Sequence, residues 1–296
     1  MTEGTDQQTA AAFASSWNNL PAGSVYTADQ FADWMAPLHE EDFAGRDVLE
    51  LGCGNGSLLV HAVRWRPRSI LGVDLGASVE TARRNLQQTG FTAGAIAQGD
   101  LVKFQSDGYD IVYCIGVLHH LKDPRAGFAA VVRNTKPAGR FHCWVYGREG
   151  NRVVILFVEP IRRLASRLPW RVTKYGIATP LAVPFYLYAK TLRSAAKIAS
   201  ASARARRWLE RAPLYQYCLW IAPREFGFFR HVAFDQLVTP QTDYLSKDEI
   251  QAWLASEPDI LAGSCYVVQR NGNSWKFGGT KKSAIDPVAE KTVATP

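Results

Sequence analysis

The segment VLELGCGNGSLL, Val48 to Leu59, constrains this chain more than any other. An apolar run, DVLELGC, reads as a buried strand and ends in three glycines spaced two apart. With the acid before them they spell E-x-G-x-G-x-G: Glu50, Gly52, Gly54 and Gly56. Glycine lets a backbone turn tightly and lets a ligand approach with no Cβ in the way. Such a loop delivers its ligand to the next helix's N-terminus, at the carboxyl edge of a parallel sheet. A dinucleotide fingerprint would be G-x-G-x-x-G, with a pyrophosphate on the helix dipole. Here the spacing differs, and Glu50 would repel a pyrophosphate while suiting a cationic amine.

Apolar runs alternate with helical stretches from residue 47 to 146. After DVLELGC come SILGVD, GAIAQGD, YDIVYCIG and RFHCWVY, five strands in all. Between them, helices are expected at Ser57–Arg66, stopped by Pro67; at Ala77–Gln88, with Gly90 just past the end; and at Pro124–Asn134, with Asp123 as N-cap. Strands separated by helices imply right-handed crossovers and a doubly wound parallel sheet. Near the C-terminus, SKDEIQAWLAS carries a capping box, Ser246 with Glu249. GSCYVVQRNGNSWKFGG then reads as a hairpin turning at Asn271–Gly272, so one strand at or near the sheet edge is antiparallel.

Two further acids sit at strand ends. Asp74 closes the second strand, 24 residues beyond Glu50, where a carboxylate can hold both hydroxyls of an unphosphorylated ribose. Asp100 closes the third, where it can accept from an exocyclic adenine amine beside the backbone of Leu101. One Asp at a strand end is ordinarily a turn residue or a cap. Three acids at three successive strand ends, beside a glycine loop, favour a ligand site.

The segments VLELGCGNGSLL, ILGVDLGASVETARRN, AQGDLVKF, YDIVYCIGVLHHLKDP and VVRNTKPAGRFHCWVY together resemble class I S-adenosylmethionine-dependent methyltransferases, over about residues 45–147. The resemblance implies a Rossmann-like, doubly wound α/β sheet of seven strands with a terminal antiparallel hairpin, and S-adenosyl-L-methionine as cofactor. It implies that Glu50, Gly52, Cys53, Gly54 and Gly56 contact the methionine part. Asp74 and its neighbour Leu75 would take the ribose, and Asp100 and Leu101 the adenine. Cys114, Ile115 and Val117 would border the donor from the fourth strand. The expected organisation is an N-terminal helical lid (1–44), a core binding S-adenosylmethionine (45–147), a helical basic and aromatic insertion capping the acceptor (148–240), the core's last helix and hairpin (241–282), and a flexible tail (283–296).

After the fourth strand stands CIGVLHHL. His119 and His120, with Tyr146 at the end of the fifth strand, are the catalytic candidates. Histidine near its ordinary pKa is a serviceable base for a hydroxyl or carboxylic acid acceptor. The alternative, a histidine that packs against the donor and bonds the backbone, stays open. Amine-methylating nucleic-acid enzymes want Asn/Asp-Pro-Pro-aromatic where this chain has Cys-Ile-Gly-Val. Pyrimidine ring methylation wants a cysteine after a proline, which Cys114 lacks. Of the carboxylates a metal would need, only Asp123 is near, so no metal is implied. The five cysteines form no metal or CxxC spacing and read as reduced, buried residues.

The net charge of +7 is unevenly spread: Arg152 to Arg211 holds thirteen Lys/Arg against Glu159 and Glu210. Two amphipathic helices, about 153–168 and 185–211, are expected there. Thirteen aromatics between Phe157 and Phe229 suggest an apolar or aromatic pocket, or simply the insertion's own core. The charge suits an anionic membrane surface, an acidic acceptor or a solvated face. A nucleic acid is disfavoured because no RNA-binding module accompanies it. Asp235 and Tyr244 are read as reaching the acceptor side, and Trp17, Tyr26, Phe31 and Trp34 as the lid. No basic-then-apolar leader opens the chain, and its apolar runs fall far short of the ~20 residues of a spanning helix. A cytoplasmic protein is expected. The resulting expectation is methyl transfer from S-adenosylmethionine to the O or N atom of a small, apolar or aromatic metabolite. RNA modification, a membrane-associated lipid or quinone acceptor, and a non-catalytic donor-binding platform are the alternatives.

Overall fold

The structure, a computed structural model, describes residues 6–11, 26–200 and 202–283. Seven strands form one sheet: β1 (Asp47–Leu51), β2 (Ser69–Asp74), β3 (Gly94–Gln98), β4 (Tyr109–Ile115), β5 (Thr135–Tyr146), β6 (Tyr266–Arg270) and β7 (Ser274–Thr280). Their order is β3-β2-β1-β4-β5-β7-β6. The first five run parallel, and β7 runs antiparallel to both β5 and β6. β1 is buried from Val48 to Leu51, as a strand covered on both faces must be. The chain leaves β1 for β2 on one side and returns to β4 on the other. This reversal opens a crevice at the strands' carboxyl ends, above β1 and β4.

One side of the sheet packs Phe128, Val131, Ile250 and Leu254 against Phe141 and Phe277. The other packs Phe31, Met35 and Phe43 against Val48, Leu59 and Tyr113, so the N-terminal helix Ala28–Met35 closes that face. Side chains from the last hairpin tie this helix down. Arg270 Nε donates to Asp33 Oδ2 at 2.6 Å and Lys276 Nζ to the Asp33 carbonyl at 2.7 Å. His142 Nε2 lies 2.8 Å from the Trp34 carbonyl, which can only accept its proton.

The capping box of Ser246 and Glu249 forms as read, and Asn271 and Gly272 both take positive φ in the hairpin turn. The helix after β1 is shorter than expected, Leu59–Ala62 continued by one tight turn, Val63–Trp65. The glycine loop consumes residues 52–58, where the Asn55 side chain accepts from the Ser57 amide at 3.1 Å.

The insertion departs furthest from expectation. It comprises Val154–Ala165, Val172–Ala199, Ala203–Leu209, Tyr215–Ile221 and Phe226–Val238, more helix than the two predicted stretches. Wide helical turns at Val154–Val158 and Val172–Ala178 stop just before Pro160 and Pro180, which have no N–H to give the ladder. Phe226–Val238 carries apolar residues around its circumference because other insertion helices pack on it from several sides, so it shows no one-sided stripe.

Candidate functional site

The loop after β1 is folded by its own backbone. Gly52 and Cys53 amides both donate to the Val73 carbonyl, at 2.7 and 3.1 Å, which curls the chain over the end of β2. Gly52, Gly54 and Gly56 all have positive φ. A Cβ on Gly52 would lie 2.5 Å from Val117 Cγ2, and one on Gly54 would meet nothing within 4 Å. Gly56 serves packing: its Cβ would sit 3.2 Å from Ala82 Cα, on the helix Val79–Gln88.

Three carboxylates gather around the loop. Asp74 accepts from the Gly54 amide at 2.8 Å and the Gly76 amide at 2.9 Å, while burial raises its pKa. Asp100 accepts from the Val102 amide at 2.9 Å. Glu50 is 2% exposed and accepts a hydrogen bond from the Tyr113 hydroxyl at 2.9 Å. Burial pushes its carboxyl up to about 8. The neighbouring Asp74 carboxylate raises it further, so a ligand bringing positive charge would relieve the cost of its ionised form.

A cavity of about 510 Å³ runs from this loop to the insertion. Of the residues anticipated at the cofactor, Glu50, Gly52, Cys53, Gly54, Asp74, Leu75, Asp100, Leu101, Ile115 and Val117 line it. Two do not. Gly56 is turned to helix packing, and Cys114, fully buried, belongs to the sheet face opposite Ile115 because strand side chains alternate. Gly116, with φ of 77°, lines the cavity between Ile115 and Val117. Buried acids that need a cation, amide-braced Asp74 and a glycine floor form a donor set that fits S-adenosylmethionine.

The two histidines separate. His119 is fully buried and does not line the cavity; its ring packs 4.1 Å from that of Tyr146, and its Nδ1 accepts from the Tyr146 amide at 3.4 Å. His120 lines the cavity. Its Nδ1 lies 3.0 Å from the Gln241 carbonyl, which can only accept, so Nδ1 carries the proton and Nε2 is the basic nitrogen. Burial lowers its pKa to about 4, which keeps it neutral near pH 7. Thr242 Oγ1 stands 3.0 Å from the same Nδ1. Tyr146 lines the cavity too, but burial holds its phenol well above the usual range, which disqualifies it as a base.

The far half of the cavity is aromatic and apolar. Trp144, Phe185, Tyr217, Trp220 and Phe228 contribute, and Asp235 and Tyr244 line the cavity too. Of the residues read as a lid, Tyr26 and Trp34 line the cavity and Phe31 is packed in the core beneath. Trp17 lies outside the described residues. Sequence reasoning missed His231, Gln241, Thr242 and Arg270. The histidine's partners lie about 120 residues away, and no local pattern announces them.

Residues 49–143 match the family described as Methyltransferase domain. A ubiquinone biosynthesis O-methyltransferase of Erwinia tasmaniensis is 28% identical over 150 residues, 48% of this chain and 60% of that protein. One of the same name from Idiomarina loihiensis is 34% identical over 105 residues, 34% of this chain and 43% of that protein. The chain thus spans about half the length of the curated relatives it matches. Among solved structures, magnesium protoporphyrin IX methyltransferase from Synechocystis PCC 6803 with bound SAH aligns at a TM-score of 0.49 and 13% identity, over 88% of this chain and 84% of that one. By this match, the segment that carries the glycine loop, residues 49–143, is a methyltransferase domain.

Proposed function

We propose that this protein transfers a methyl group from S-adenosylmethionine to an oxygen atom of a small, apolar acceptor bearing an aromatic ring, with His120 taking the acceptor's proton. One observation carries the reading: a single cavity joins the glycine loop and its acids to the aromatic half under the insertion, and His120 lines it. When bound, S-adenosylmethionine supplies a methyl group on a sulfonium, whose bonding electron pair stays with sulfur as the methyl leaves.

The chain's own residues do the rest. Glu50 and Asp74 hold the donor's charged and hydroxyl groups. Trp144, Phe185 and Trp220 seat a flat apolar acceptor and keep water out, and alignment of this kind supplies much of the rate. A hydroxyl becomes strongly acidic as its oxygen gains the methyl carbon, so a neutral histidine of low pKa is basic enough to receive that proton. Gln241 fixes the tautomer that leaves Nε2 basic. The names of the relatives, O-methyltransferases, support oxygen over nitrogen as acceptor.

The test is product mass spectrometry with S-adenosylmethionine and matched phenols, anilines and aliphatic alcohols. A mass gain of one methyl on phenols alone is expected. Turnover of anilines but not phenols would overturn the choice of oxygen. Donor binding without turnover of any of the three would favour a non-catalytic platform.

A further inference from the structure

The insertion's helices are built inside out. On Thr179–Ala199 the buried positions are Ala182, Ala189, Leu192 and Ala199, three of them alanine. Its large apolar side chains face outward: Leu187 is 58% exposed and Ile198 81%, with Leu181 and Val183 exposed as well. The helix before it does the same, with Arg162 and Ala165 inside and Leu156, Phe157 and Leu164 about two-thirds exposed. In each helix exposed apolar positions recur about once per turn, with one five-residue step across the wide turn Val172–Ala178, which makes a stripe: 153, 156, 157, 160, 164 in one and 172, 175, 180, 183, 187 in the other. A helix in water has the opposite arrangement, and contiguous apolar patches on a protein surface mark an interaction site.

The two stripes belong to one body. Ala165 and Ala178 pack together on Phe234, Leu237 and Val238, and the Thr173 hydroxyl donates to the Ala165 carbonyl at 2.8 Å. Arg163, Arg167 and Arg171 are exposed along the connection between the stripes, and Arg152 near their start. The only acid between residues 151 and 200 is Glu159. The Lys174 ammonium lies over the rings of Trp170 and Tyr175, 5.8 and 5.9 Å from their centres. No helix among the described residues is long and apolar enough to cross a membrane.

The cavity opens on this same face. Val153 and Phe157 of the first stripe line the cavity, and so does Leu181, exposed beside the second. The mouth of the acceptor half is therefore bordered by the surface that water disfavours.

We infer that this face docks on an anionic lipid bilayer, with the stripes in the acyl boundary and the arginines at the headgroups, so that an apolar acceptor enters from the lipid. The entry route rests on the proposed acceptor half of the cavity; the docking does not. A nucleic acid would use the arginines but offer nothing to Leu156, Leu164 or Leu187. A second copy of the chain would bring two faces of the same charge together. Only a surface both anionic and apolar matches both features.

The experiment is co-sedimentation of the full chain with vesicles of phosphatidylcholine alone and with phosphatidylglycerol added, with no substrate present, so that it reads docking independently of methyl transfer. Binding to the anionic vesicles is expected, weakening as salt rises. Arg167→Gln with Arg171→Gln lowers that affinity by roughly fivefold per charge removed. Leu164→Asp with Leu187→Asp abolishes it, at exposed positions outside the cavity where unchanged circular dichroism verifies folding. Absence of binding to anionic vesicles overturns the proposal. So does retention by the Leu164→Asp, Leu187→Asp variant, or a dimer in sedimentation velocity that dissociates on those substitutions. Equal binding to single-stranded RNA, insensitive to the two leucine changes, would point to nucleic acid instead.

An environment-sensitive fluorophore tests the orientation. Attached at Leu156→Cys in a Cys265→Ser background, it should shift to the blue on anionic vesicles, while the same probe at Arg84→Cys stays unchanged. Equal shifts at both positions would overturn the assigned face.

Discussion

The two halves of the cavity are built on different principles. The half over β1, β2 and β4 is made of backbone: loop glycines with positive φ, amides curled onto Val73, and Asp74 gripping the Gly54 and Gly76 amides. Its polar groups are fixed by main-chain bonds within about 25 residues of each other. The half under the insertion is made of side chains from distant segments, and rings and methyl groups define its shape. The first half is specified by spacing and tolerates little change. The second is specified by volume, and cores tolerate substitution so long as volume is kept.

The sharpest break between the halves should come at His120, where they meet. His120→Ala is expected to lower kcat by about 10²- to 10⁴-fold, the usual worth of a positioned base. Calorimetric affinity for S-adenosylhomocysteine should stay within about twofold, since the loss affects proton removal and not donor binding. A parallel collapse of donor affinity would move His120 into the donor half. Next in size is Asp74→Ala. Removing a buried acceptor of hydroxyls should weaken S-adenosylhomocysteine by roughly one to three kcal/mol. Gly54 and Gly76 would lose their partner as well, so protection of those amides from hydrogen exchange should drop in step. An unchanged affinity would take Asp74 out of the site.

Legibility followed the same division. Glu50, Gly52, Gly54, Asp74 and Asp100 were readable because glycine freedom and carboxylate placement at strand ends are local demands written in local spacing. The hairpin was readable from Asn271–Gly272 and the last helix from Ser246 with Glu249, each a turn or cap whose chemistry lies within four residues. Of the fourth-strand residues read at the donor, Cys114 alone faces away: strand periodicity alone does not say which face looks into the crevice, and the cavity takes Ile115, Gly116 and Val117. His119 and His120 could not be told apart, because the distinction comes from Gln241 and Thr242, about 120 residues on. The helix Phe226–Val238 was illegible for a related reason. A helix buried on several sides loses the one-sided stripe that reveals a helix in sequence, and only its packing partners explain it.

A smaller effect should separate the halves from the acceptor side. Phe185 stacks with Tyr217 at 6.2 Å and meets Phe229 at 5.6 Å, as one wall of the aromatic half. Phe185→Leu keeps most of the volume and removes the flat face. It is expected to raise KM for an aromatic acceptor by about tenfold, the range of one aromatic pair with its lost contact area. Donor affinity and kcat should be nearly unchanged. If KM for an aliphatic acceptor rises equally, the wall acts through volume alone and ring stacking has no part in selectivity.

A stability effect at Glu50 has a sign that distinguishes a site built for a cation from a structural carboxylate. Unfolded, its carboxyl titrates near the ordinary 4.5; folded without ligand, burial moves it to about 8. Between those values the folded protein holds a proton that the unfolded chain has released. Raising the pH therefore favours unfolding, by up to about 1.4 kcal/mol per unit, and the penalty levels off above about 8. Glu50→Gln cannot ionise, so its melting temperature at pH 8 should exceed that of the parent by about ten degrees, and the two should converge near pH 5. A cationic ligand reverses the preference by pairing with the ionised form. Donor affinity of the parent should then rise with pH up to about 8, and binding near pH 7 should release a proton, seen as a calorimetric enthalpy that varies with buffer. The glutamine variant should bind more weakly and show neither dependence. A variant that melts lower at every pH would mean that the Tyr113 hydroxyl and the ionised carboxylate stabilise the fold itself, and that the charge of Glu50 is not reserved for the donor.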